Sequence, residues 1–154
     1  MIETYENAKG ELRRADHLMY VSLKYTRTVD VLKSLVERMI NTYDLLIGAL
    51  LHKAGVRDPP RIPRLRIELV KKSYPGDDVV AQQMALYGLL RDISQASFDR
   101  RQEFRRHVTM TAHLDDKEIE VTIDIVEDYF KKVKEFAEYV GMMIEGKMRS
   151  EKSE

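Results

Sequence analysis

The chain of 154 residues has no cysteine and no tryptophan, only 4 prolines and 7 glycines, and no excess charge, with 26 Lys+Arg against 26 Asp+Glu. Without cysteine there is no disulfide scaffold, no thiolate metal site and no cysteine nucleophile. Long apolar runs are missing too. The longest, Leu45-Leu46-Ile47-Gly48-Ala49-Leu50-Leu51, falls far short of the ~20 residues a membrane-spanning helix needs. The opening Met1-Ile2-Glu3-Thr4-Tyr5-Glu6 has no basic region followed by an apolar core, unlike a signal peptide. The expectation is a soluble, cytoplasmic protein with no membrane partner. With 44% hydrophobic residues the chain is too apolar to be disordered. It is long enough to bury one core, expected over residues 1–146 with a polar tail at 147–154.

What is present is helical periodicity, punctuated by the few glycines and prolines. Residues 11–47 contain neither, and apolar positions recur at Leu12, Ala15, Met19 and Leu23, then at Val29, Leu32, Val36, Met39, Tyr43, Ile47 and Leu50. The β-branched patch Tyr25-Thr26-Arg27-Thr28 predicts a break between a first and a second helix. Gly55 and the segment Arg57-Asp58-Pro59-Pro60 stop the second. A short helix is expected over residues 64–74, ended by Tyr74-Pro75-Gly76, and the next begins at a cap supplied by Asp77 or Asp78. Its stripe, Met84, Leu90, Ile93, Ser97, Phe104 and Val108, predicts a helix reaching Phe104 or Val108. Alternation then appears around Leu114-Asp115-Asp116, which fits a short β-hairpin or extended loop. A last helix follows, with Val126, Phe130, Val133, Phe136, Val140 and Ile144 on one face. The fold class expected is all-α, an antiparallel bundle of four to five helices with a small hairpin or loop before the last.

Charge is uneven along the chain. Residues 57–72 carry a net +4, residues 99–107 a net +2 and residues 115–145 a net −6. Either the basic and acidic segments pair across the surface, or the two basic segments converge on a phosphate-bearing partner.

The segment Asp99-Arg100-Arg101-Gln102-Glu103-Phe104-Arg105-Arg106-His107 is the densest in chemistry. On a helix, Arg100, Glu103 and His107 share one line at the border of the apolar stripe, and Arg101 borders the stripe on its other side. A histidine so placed can move protons near neutral pH, with a guanidinium to hold a phosphate. It can equally close the helix, bonded to Glu103 or to a carbonyl.

Arg101-x5-His107 and Arg100-x6-His107 both resemble the RX4-6H motif of the HEPN superfamily (higher eukaryotes and prokaryotes nucleotide-binding domains). The layout is similar as well: a first helix with Glu11-Leu12-x-x-Ala15, a joint near Tyr25, and a last helix opening at Ile123-Asp124-Ile125. The resemblance implies a metal-independent endoribonuclease working as a homodimer, of the RNA-processing or toxin type, without a cofactor or metal. His107 would be a general acid or base and Arg101 or Arg100 would hold the phosphate. The product would end in a 2′,3′-cyclic phosphate. Gln102, Glu103, Arg105 and Arg106 would bind or orient the substrate. In the family a polar Asn, Asp or His often follows the arginine; here Gln102 follows Arg101, which leaves the register open between the two arginines. The superfamily also holds non-catalytic members, which bind nucleotides or pair with a nucleotidyltransferase, and a helical assembly protein outside the family is the further alternative.

The remaining histidines read as an exposed helix residue (His17), a helix-end residue suited to the helix dipole (His52) and a hairpin-turn residue (His113). No Glu-x-x-His occurs, against a di-iron bundle. Neither a Gly-rich phosphate loop nor a His-Glu-x-x-His appears.

Overall fold

The computed structural model describes the backbone of residues 1–153 and the side chains of residues 1–146, so the expected tail at 147–154 lies outside the described side chains. The protein is mainly helical, with a small antiparallel sheet before the last helix. The order is α1 (Ile2–His17), a π-helical segment (Leu18–Ser22), α2 (Leu23–Tyr25), α3 (Val29–Lys53), α4 (Pro63–Ser73), α5 (Asp78–Gln95), β1 (Ser97–Arg101), β2 (Thr109–His113), β3 (Glu118–Thr122) and α6 (Ile123–Ser153).

The helix boundaries follow from local chemistry. Thr28 is extended and its hydroxyl accepts the Val31 N–H, which caps α3 and turns the Tyr25–Thr28 patch into the expected break. The far end of α3 closes with Gly55 at φ +85°. There the Gly55 N–H bonds the His52 carbonyl and the Val56 N–H bonds that of Leu51, a Schellman pair that needs a left-handed residue. Asp77 caps α5 through the Val80 N–H at 3.0 Å.

Helix α3 is the centre: it packs against α1, α4, α5 and α6. Its buried residues (Leu32, Leu35, Val36, Met39, Tyr43, Leu46, Ile47, Leu50, Leu51) cover most of its circumference, as a helix surrounded by others requires. The Tyr43 hydroxyl donates to Gln83 of α5 at 2.5 Å, and the Gln83 amide donates to the Lys132 carbonyl of α6 at 3.1 Å. Burial pushes the Tyr43 phenol well above its usual range. Truncating Phe136, fully buried between these helices, would cost about 3–5 kcal/mol. At Gly141 an added methyl would overlap the Tyr5 phenol of α1, so glycine is what lets α1 lie against α6.

The sheet corrects the sequence reading. Helix α5 stops at Gln95, and Ala96 turns extended at ψ 151°. Residues expected to continue the helix form β1, which pairs with β2 from Ser97↔His113 to Arg101↔Thr109. On its other edge β2 pairs with β3 from Thr109↔Thr122 to His113↔Glu118, so the expected hairpin is present but is two thirds of a three-stranded sheet. A two-stranded hairpin is marginal in water, and β1 supplies partners for the second edge of β2, whose Met110 and Ala112 are buried. Among the described residues no helix is long and apolar enough to cross a membrane.

Candidate functional site

With β1 in place, the basic segment folds as a strand followed by a tight loop, not as a helix. Arg100, Glu103 and His107 therefore do not share a helical line. Arg100 lies at the edge of β1 and forms ion pairs with Asp30 of α3 at 2.9 Å and with Glu103 at 3.3 Å, its guanidinium 5.3 Å from the Phe98 ring. Those two carboxylates raise its pKa, and they occupy it as a tether. Glu103 has a matching task, since its other oxygen accepts the Val29 N–H at 3.1 Å and satisfies a free donor at the start of α3. Glu103 thus binds the loop to a helix terminus, and nothing places it against His107.

The loop at 102–107 is held in an uncommon shape. Gln102 and Phe104 both have left-handed backbones, at φ 57° and 63°. For a bulky residue such as phenylalanine this conformation is costly and persists only where the surroundings enforce it. The enforcing contacts are the Phe104 N–H to the Arg27 carbonyl (2.7 Å), the Arg105 N–H to the Gln102 carbonyl (3.0 Å) and the Val108 N–H to the Arg105 carbonyl (3.1 Å). Instead of joining the apolar stripe, as expected from the sequence, Phe104 is 76% exposed. Tyr25, on the segment leading to Arg27, is 79% exposed. Sequence reasoning passed over Phe104 as a site residue, although an aromatic set among Arg100, Arg101, Arg105 and Arg106 is the interleaving that nucleic-acid surfaces use.

Beside the loop is a cleft of about 330 Å³ lined by Arg27, Arg106, His107, Thr109, Thr122, Ile123 and Asp124. Its wall carries the first turn of α6, where the Thr122 hydroxyl accepts the Ile125 N–H at 3.2 Å. Backbone donors at such a terminus favour an anion. The Thr109 hydroxyl donates to the His107 carbonyl at 2.8 Å and fixes the histidine backbone at the rim. Strand pairing puts Arg101 across from Thr109, and Thr109 across from Thr122, so Arg101 ends the row whose other two members line the cleft. The structure thus brings Arg101, Arg106 and His107 to one end of the sheet and adds Arg27. It turns Arg100 and Glu103 to holding the loop, and leaves Gln102 and Arg105 exposed at its tip. Asp124 is the one carboxylate among the lining residues.

The two basic segments do not converge. Helix α4 lies at the opposite end of the sheet, where Ile67 and Lys71 share a cleft with Leu114, Asp116 and Lys117 of the β2–β3 turn. His113 is at that end as well, on β2 instead of in the turn, with Nε2 2.8 Å from Asp99 and Nδ1 3.1 Å from Glu118. His17 and His52 are exposed on α1 and α3. Among the described residues no three His, Asp or Glu side chains are grouped so as to hold a metal ion. Comparison with protein-family models, with curated proteins and with solved structures finds no match to the chain.

Proposed function

We propose that the loop and its neighbouring cleft bind single-stranded RNA, with bases stacking on Phe104 and Tyr25 and a backbone phosphate entering the cleft. The observation that carries the reading is Phe104, held exposed by a left-handed backbone amid Arg105, Arg106, His107 and Arg27. A hydrophobic ring is kept in water at a backbone cost when something stacks on it, and base–aromatic stacking is worth about 1–3 kcal/mol per base.

The resemblance to HEPN endoribonucleases adds a reaction. The RNA 2′-oxygen attacks the adjacent phosphorus, a new O–P bond forms, the bond to the 5′-oxygen breaks, and a 2′,3′-cyclic phosphate remains. The proton leaves the 2′-hydroxyl for a base and another reaches the departing 5′-oxygen; His107 performs one of these transfers. Arg106, with Arg101 and Arg27 near it, stabilises the charge on the phosphate, and no metal takes part. In this reading the helices around α3 form the family's antiparallel bundle and the sheet is an addition at one end. The chain is a homodimer, for which the exposed Tyr20 and Val21 offer an apolar surface apart from the stacking ring of Tyr25.

A specific observation favours a second reading, RNA binding without cleavage. Glu103, which the resemblance gives a role in binding or orienting the substrate, is bonded to Val29 and Arg100 instead. One experiment separates the two: a labelled single-stranded RNA is incubated in EDTA with the native chain, His107→Ala and Arg101→Ala/Arg106→Ala. A cyclic-phosphate product that disappears in both variants supports cleavage. Binding without product, weakened in the arginine variant, supports the binding module. An unbound RNA refutes both.

A further inference from the structure

A second cationic cleft, of about 550 Å³, lies between α1 and α3, lined by Gly10, Arg13, Arg14, His17, Leu18, Ser34 and Arg38. Three arginines line it, and two of them share a single carboxylate, that of Glu11. Arg14 Nη1 and Arg38 Nη1 both contact Glu11 Oε1, at 3.1 and 3.3 Å, and Arg38 reaches Glu11 Oε2 as well at 3.2 Å. Arg13 and Arg14 converge on one point above Gly10: a Cβ built there would lie 3.8 Å from Arg13 Nη2 and 3.6 Å from Arg14 Nη1. Glu11 already serves two arginines, and Arg13 and His17 have no ionic partner among the described residues. Like charges brought this close repel unless an anion lies between them.

Two backbone features point to the same place. Gly10 sits in mid-helix, where glycine costs about 1 kcal/mol against alanine, and it leaves α1 bare beneath the two guanidinium groups. Directly after His17 the helix widens into the π-helical segment Leu18–Ser22, a local irregularity often found at binding sites. Ser34 adds a hydroxyl from α3, and Leu18 an apolar wall.

We infer that this cleft is a phosphate-binding site separate from the one at the sheet, taking adjacent phosphates through the bidentate forks of Arg13, Arg14 and Arg38. Those phosphates belong either to a free nucleoside triphosphate or to the backbone of an RNA strand that continues from the loop. Asp30, Ser34 and Arg38 follow one another at i, i+4 and i+8 on α3. That stripe links the Arg100 tether to this cleft over about 12 Å of helix.

The test uses fluorophore-labelled ATP in EDTA and a short labelled single-stranded RNA, each titrated by anisotropy. The proteins are the native chain, Arg13→Glu, Ser34→Glu and Arg106→Ala/His107→Ala. Arg13 makes no ion pair and Ser34 is exposed, so two independent variants place a negative charge in the cleft, and thermal unfolding of each confirms the fold. The expected result is at least tenfold weaker binding in both cleft variants. Loss confined to ATP, with the loop variant unaffected, identifies the free nucleotide; loss confined to RNA identifies the strand backbone. If neither ligand binds the native chain, or neither loses affinity in Arg13→Glu and Ser34→Glu, the inference is overturned. RNA binding abolished by the loop variant alone, with ATP unbound, also overturns it and leaves the proposed function intact.

Discussion

At one end of the small sheet His113 stands between Asp99 and Glu118, with both ring nitrogens engaged by carboxylates. At the other end His107 stands at the rim of a cleft with Arg27 and Arg106 and one aspartate in the lining, and Phe104 of the same loop is held in water. Both ends are built from the same strands, about five residues apart. The first is a closed electrostatic unit that ties β1, β2 and β3 together. The second holds spare positive charge on a strained backbone. A histidine near arginines or carboxylates is therefore not a site in itself; unsatisfied charge and backbone cost mark the end proposed to bind RNA, and paired groups mark the other.

The largest effect is expected at the cleft. Arg106→Glu should weaken RNA binding at least tenfold and lower its salt dependence by about one phosphate contact, whereas His113→Gln should leave affinity unchanged; anisotropy titrations across a salt series check both. Equal losses in the two would erase the distinction between the ends. Phe104→Gly separates function from stability. Losing the ring should cost about 1–3 kcal/mol of RNA binding. Relief of the left-handed backbone should leave the fold unchanged or up to about 1 kcal/mol more stable in urea unfolding.

Glu103→Ala tests how the loop is held. Removing the cap on Val29 and the partner of Arg100 should destabilise the chain by about 1–2 kcal/mol, with amide exchange of the Val29 and Phe104 N–H groups accelerated. The smallest effect is expected at the closed end. Hydrogen bonding to Asp99, with the nearby charges of Asp99 and Glu118, raises the His113 pKa above its ordinary 6.5. Its contribution to stability is then fully present below pH 6.5 and fades as pH rises through the folded value. An NMR titration should place the His113 midpoint above 6.5, and Asp99→Asn should return it toward that value; an unmoved midpoint would show that the carboxylate does not hold the ring.

Much of the helical frame could be read directly. The break at residues 25–28, the stop at Gly55, the Asp77 cap and the buried stripe of α6 each rest on chemistry within a few residues in sequence. The same holds for the β2–β3 hairpin and its Leu114-Asp115-Asp116 turn. Strand β1 was not legible, because the residues after Gln95 satisfy two patterns. Ile93, Ser97, Phe104 and Val108 continue a helical stripe, while Phe98 and Arg100 alternate with Asp99 and Arg101 as a strand does. The candidate site was half legible: His107, Arg101 and Arg106 were picked out, but Arg27 and Thr122 reach the cleft only through folding.

Local sequence fixes most helix ends, that of α5 excepted, and the faces the helices bury, since caps, turns and periodicity act between near neighbours. The tertiary structure decided what becomes of residues 96–108. The free edge of β2 needed a backbone partner, and the uncapped Val29 N–H needed an acceptor, which Glu103 supplies from 74 residues away. Those non-local hydrogen bonds outweigh roughly three more turns of helix. By ending α5 early they move His107 from the edge of the core to an exposed rim.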